Sequence, residues 1–129
     1  MDREASWRVI ERQRLDIAAL LAGLAPQQWD TPSLCAGWRV REVAAHLAVT
    51  PNPPSAAAML AAALRARGDY NRFIDDLTRA HARRSGPELV AEIRADASSR
   101  RLPKLTNYRN ILFDTIVHGQ DIAIPLGRT

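Results

Sequence analysis

Two residues four apart, Asp114 and His118, carry the first chemical suggestion in this chain, within the stretch "NYRNILFDTIVHGQDIAIPLG". Read as one helix from Asn107 to Gly127, that spacing sends both side chains from the same face about one turn apart. Asp121 follows three residues after the histidine and falls on that face too. A carboxylate and an imidazole so placed can touch one ion, or can simply pair with each other. Two further histidines are present. His46, three residues after Val43 and six after Val40, sits at the edge of an apolar stripe, as a half-buried histidine bonded to backbone or carboxylate would. His81, in "RAHARR", reads as a solvated surface residue. If His46 faced Asp114 and His118, two imidazoles and one carboxylate would suit a divalent ion such as zinc or nickel, leaving positions for water or substrate. Spacing alone does not bring the two helices face to face. Cys35 has no base within motif distance and reads as a packed residue rather than a nucleophile.

The elements that must position these groups are helical. Trp7, Ile10, Ile17, Leu20, Leu21 and Leu24 approximate a 3.6-residue period over a first helix from Arg3 to Gly23, stopped by Gly23 and Pro26. The connector "APQQWDTPSLCAGW" is polar but carries Trp29 and Trp38, which predicts a loop packed down on the helices. A second helix is expected over Val40 to Val49, with Val40, Val43, Ala44 and Leu47 buried. Glu42 suits the third helical position of a capping box, yet Arg39 occupies the cap, so a less firmly capped start is expected. "TPNPP" is a break. "SAAAMLAAALRAR" then forms a helix packing through Met59, Leu60 and Leu64, and after a turn at Gly68-Asp69 "YNRFIDDLTRAHARR" continues helically. Gly86-Pro87 ends that element, "PELVAEIRADASS" forms a shorter helix, and Pro103 separates it from the last one. There Ile111, Phe113, Ile116, Val117 and Ile124 are spread as in a helix enclosed by a bundle.

Four long helical units joined by short breaks predict an all-α antiparallel four-helix bundle with short additional helical segments. No repeat or internal boundary divides it, so residues 1–129 read as a single domain. The abrupt end at Thr129 would also fit a domain truncated at its C-terminus. The formal net charge of +4 comes almost entirely from arginine, Lys104 being the only lysine. No basic run exceeds two residues, and no recognisable nucleic-acid-binding motif is present, which argues against a nucleic-acid partner. A single cysteine forms no internal disulfide. The polar N-terminus lacks a signal-peptide core, and no apolar run reaches bilayer length, so a cytoplasmic location without membrane contact is expected.

Two motifs, taken together, carry a resemblance. Trp29, then Ser33-x-Cys35-x-Gly37-Trp38-x-Val40, then His46-Leu47 form the first. Asp114, three residues, His118-Gly119, then Asp121 and Leu126-Gly127 form the second. In this order the chain resembles the N-terminal domain of the mycothiol-dependent maleylpyruvate isomerase family, within the DinB/YfiT-like superfamily of metal-binding four-helix bundles. The resemblance implies a metal held by His46, Asp114 and His118, zinc first and nickel second, with mycothiol as a thiol cosubstrate of a transferase or isomerase. The family's acid is usually glutamate, so Asp114 is a departure, and Pro125 is another that should end the last helix early. The family's isomerase also uses a C-terminal domain for substrate handling. The competing expectation is a non-catalytic helical binding or regulatory module, and either could form a homo-oligomer.

Overall fold

Asp2 starts the first helix, its carboxylate accepting the Ala5 N–H at 2.7 Å. α1 runs over Arg3–Ala22 and stops at Gly23. The computed structural model describes residues 2–102 and 106–128, so the break expected at Pro103, the lysine at 104 and the terminal Thr129 lie outside the described residues. After α1 come a 3-10 turn at Pro26–Asp30, then α2 (Val40–Val49), α3 (Ala56–Ala66), α4 (Tyr70–His81), α5 (Gly86–Ala95) and α6 (Tyr108–Ala123). Among the described residues there is no strand, only a lone bridge between Pro32 and Arg39. No described helix is long and apolar enough to cross a membrane.

These helices form a DinB-like bundle in which α1 packs on α5 and α6, and α2 packs on the same two. The fourth member of the bundle is therefore the short α5. α3 lies against α4, and α4 against α2, so this pair is added outside the four. α2 is the enclosed element. Val40, Val43, Ala44, Ala45 and Ala48 are fully inaccessible, and the three alanines let neighbouring helices approach closely. The main core joins them to Leu21 of α1, Leu89 and Ile93 of α5, and Ile122 of α6. A smaller cluster of Trp7, Ile10 and Ile111 closes the other end of the α1–α6 contact.

α6 is not enclosed as its apolar content suggested. Its buried residues are Ile111, Thr115, Gly119, Ile122 and Ala123, whereas Phe113, Ile116, Val117 and Ile124 are exposed. Small residues let α6 approach α1: a Cβ at Gly119 would stand 3.2 Å from Ile17 Cδ1. The helix ends at Ala123, two residues before Pro125, as that proline required. α3 departs similarly, burying Ala62 and Ala66 while Leu60 and Leu64 point outward.

Two local features explain how the chain turns. The start of α2 is firmer than its cap residue suggested. Glu42 accepts from the Arg39 backbone N–H at 3.0 Å and from both ends of the Arg39 guanidinium at 2.8 and 2.7 Å. Arginine has no acceptor to offer the helix, but its fork neutralises a carboxylate that is almost wholly buried. Gly86 begins α5 instead of ending α4, because Ser85 caps it and Glu88 reaches back to the Ser85 N–H. Glycine is needed there: a Cβ would lie 2.7 Å from Trp29 Cε2, and Trp29 is itself buried.

Candidate metal centre

α2 and α6 meet with His46 on one and Asp114 and His118 on the other. Each of the three offers one ligand atom, and these atoms lie within 4.8 Å of one another. His46 Nε2 is 3.3 Å from Asp114 Oδ2, and His118 Nε2 is 3.1 Å from Asp114 Oδ1. The imidazoles stand edge to face, with centroids 4.9 Å apart. All three side chains are half-buried, Asp114 the most open at 31% and His118 the least at 16%. The juxtaposition that helical spacing could not decide is therefore present.

The contacts among these groups bear on what they can hold. His118 Nδ1 lies 2.9 Å from Asp121 Oδ2, and a carboxylate only accepts, so Nδ1 carries the hydrogen. In the neutral ring Nε2 is then a bare lone pair 3.1 Å from a second carboxylate, Asp114. Two acceptors in contact repel, and a positive centre between them removes the conflict. The distances agree with that. Two atoms bound to one tetrahedral zinc at about 2.0–2.1 Å stand roughly 3.3 Å apart, close to the 3.1 and 3.3 Å seen here. A charge-assisted hydrogen bond is shorter, at about 2.7–2.9 Å. This chain makes one at His81, whose Nε2 is 2.6 Å from Glu92. Without an ion, a proton takes the positive role. Burial pulls the His118 pKa down, but Asp114 and Asp121 outweigh it and hold the group above its ordinary value. Burial likewise opposes ionisation of Asp114, yet hydrogen bonding to His118 and His46 holds its carboxyl far below the usual range.

Trp38 covers the pair, its ring 5.5 Å from His46 and 6.3 Å from His118. The loop that delivers it is built from its own motif. Trp38 N–H donates to the Cys35 carbonyl at 3.1 Å, closing a tight turn whose third residue, Gly37, has φ +81°, where a side chain would be strained. Ser33 Oγ accepts from the Cys35 N–H at 3.0 Å and lies 2.7 Å from the Trp38 carbonyl, to which it donates. From α4, Asp75 accepts the indole N–H at 2.7 Å, and Arg79 bridges Asp75 at 2.8 Å to the Gly37 carbonyl at 2.8 Å. Leu34 N–H meets the Asp121 carbonyl at 3.2 Å, so the loop also rests on α6.

Among residues singled out from sequence, His46, Asp114, His118 and Asp121 come together. Cys35 is packed against the core near them, and burial, with the charges of Asp121 and Asp114, pushes its thiol pKa up. That is the reverse of an activated nucleophile. His81 is not the solvated residue its arginine-rich context suggested. Its side chain is 13% exposed, held between Glu92 and Arg84, which donates to Nδ1 at 3.0 Å. Asp75 and Arg79, which hold Trp38, were not foreseen. They are an ordinary helical acid–base pair until the loop is folded onto them.

A cavity of about 450 Å³ opens beside the cluster, with His46 and Asp114 in its wall. No curated protein and no solved structure matches the chain. Residues 10–106 match the family described as Mycothiol maleylpyruvate isomerase N-terminal domain. The matched span includes the Trp38 loop and His46 and stops before α6, so Asp114 and His118 join the site through the geometry alone. With about three quarters of its length matched, the chain belongs to the mycothiol maleylpyruvate isomerase N-terminal domain family.

Proposed function

We propose that residues 1–129 form one DinB-like domain in which His46, Asp114 and His118 bind a divalent metal, zinc first and nickel second. We further propose that this centre serves a mycothiol- or other thiol-dependent transferase or isomerase reaction. The observation that carries the reading is the His118 Nε2 lone pair, left bare by the Asp121 bond at Nδ1 and 3.1 Å from the Asp114 carboxylate. Two histidines with one carboxylate are a donor set used by catalytic zinc, which keeps a position open.

When bound, the ion supplies Lewis acidity that makes a thiol or water anion available near neutral pH. The rest falls to the chain. Asp121 fixes the tautomer and direction of His118. Asp114 supplies the negative charge that offsets part of the ion's own. Trp38, anchored at Asp75, screens both imidazoles from water on one side, while the cavity gives access on the side of His46 and Asp114. Cys35, with its raised pKa, stays a neutral thiol beside the site.

Elemental analysis of protein purified without a metal-carrying tag, followed by cobalt substitution and titration with mycothiol, tests both parts. Near-stoichiometric zinc or nickel, lost in His46→Ala and His118→Ala, supports the metal reading. A sulfur-to-cobalt charge-transfer band on adding mycothiol supports the thiol reading, and its absence from cobalt-loaded protein contradicts it.

A further inference from the structure

The cavity beside the cluster differs in charge from two other cavities of the molecule. The chain is rich in arginine, and those two are lined in part by it: Arg41 and Arg94 in one, Arg39, Arg79 and Arg83 in the other. The cavity at His46 and Asp114 has neither arginine nor lysine among its described lining residues. Its apolar wall comes mainly from the outer helix pair, with Met59 of α3 and Phe73, Ile74 and Leu77 of α4. Apart from His46 and Asp114, its polar groups are neutral, Thr50, Thr106 and Asn110 among them. Asp114 is the carboxylate in this lining. At about 450 Å³ the space lies within the range of small-molecule pockets.

We propose that this cavity holds an uncharged, apolar substrate body about the size of a substituted benzene ring, and that it disfavours dicarboxylates such as the maleylpyruvate of the family's name. The inference rests on the metal-centre reading for the placement of the reacting end and on the cavity wall for the rest. A carboxylate seated away from the metal gives up its hydration and meets methyl and aromatic groups, with no arginine or lysine among the described lining residues to replace the water. An aryl or alkyl body on the same wall exchanges ordered water for contact with Met59, Phe73 and Leu77.

A matched pair of thiols tests this. On zinc-loaded protein, calorimetry would compare 4-methylphenylmethanethiol with 4-(sulfanylmethyl)benzoate, which differ only at the end far from sulfur. The methyl compound is expected to bind at least about tenfold more tightly. Leu77→Arg should cancel that preference without changing zinc content. Equal binding, or preference for the carboxylate, overturns the proposal. A second arm separates it from the metal reading. In His118→Ala, whose altered residue does not line the cavity, para-cresol should still bind in preference to 4-hydroxybenzoate by saturation-transfer NMR. If neither thiol binds the parent while para-cresol binds both proteins with this preference, the metal reading fails and the cavity assignment stands. Failure of para-cresol to bind either protein overturns the cavity assignment.

Discussion

His118 Nδ1 and Asp121 Oδ2 lie 2.9 Å apart on one helix, and this contact decides which ring nitrogen of His118 faces the cluster. It also locks the ring at a position where only 16% of the side chain is exposed. Removing the carboxylate frees the tautomer and the ring. Asp121→Ala is expected to weaken zinc binding by about 10–100-fold, with little change in helical content. Equal zinc affinity in the parent and Asp121→Ala would leave Asp121 as a local structural acid only.

The aspartate at 114 is a departure whose consequence can be measured. Its carboxylate already reaches both imidazoles, at 3.1 and 3.3 Å, because α2 and α6 are packed together. Glutamate adds one methylene and more reach on a residue open to solvent on one side. Asp114→Glu is expected to hold zinc at least as tightly as the parent, and Asp114→Ala less tightly, since it leaves the ion's charge less compensated. If Asp114 were merely a fitted partner of the histidines, Asp114→Glu would lower the melting temperature and added zinc would shift neither variant.

Much of the fold was legible because its signals are local. Gly23, Pro26 and the Gly68-Asp69 turn mark helix ends through backbone chemistry that does not depend on the tertiary fold, and the expected Val40 to Val49 helix is observed with those bounds. Partner choice was not legible. Phe113, Ile116 and Val117 look like core residues in a linear pattern, yet α6 turns Thr115 and Gly119 toward α1 because close approach there favours small groups. Ser85-x-x-Glu88 was a readable capping box that would have moved Gly86 to the start of α5. In the site, Asp114, His118 and Asp121 were legible by helical spacing. His46 was legible only as the edge of a stripe, since nothing local encodes which helix it faces. The roles of Asp75 and Arg79 depend on contacts that cross about forty residues of chain.

Glu42 and Arg39 set an acid dependence. Burial works against ionisation of Glu42, but the side-chain and backbone bonds from Arg39 prevail and lower its pKa. A carboxyl lowered in the folded state adds stability that is complete above its ordinary value of about 4.3 and is lost as pH falls through the lower folded value. Arg39→Met strands the buried carboxylate and should cost about 1–3 kcal/mol at pH 7. The gap between parent and variant should narrow below about pH 4.3, where protonation relieves the stranded charge. Denaturant melts at pH 7 and pH 3.5 check this, and a gap that widens in acid contradicts it.

Gly86 and Trp29 make a packing prediction at a distance from the site. A Cβ 2.7 Å from a buried indole must displace either the ring or the start of α5. Gly86→Ala is therefore expected to destabilise by about 1–3 kcal/mol, although alanine is ordinarily the better helix former. Thermal melts read the sign, and a stabilised variant would mean that Trp29 moves aside freely.

Titrating zinc into chelator-treated protein by calorimetry tests most directly whether the α2–α6 cluster binds metal. One equivalent of zinc should bind the parent, with binding largely abolished in both His46→Ala and His118→Ala and retained in His81→Ala, whose histidine pairs with Glu92 outside the cluster. Absence of zinc binding by the folded parent, or undiminished binding in His46→Ala and His118→Ala, would contradict it.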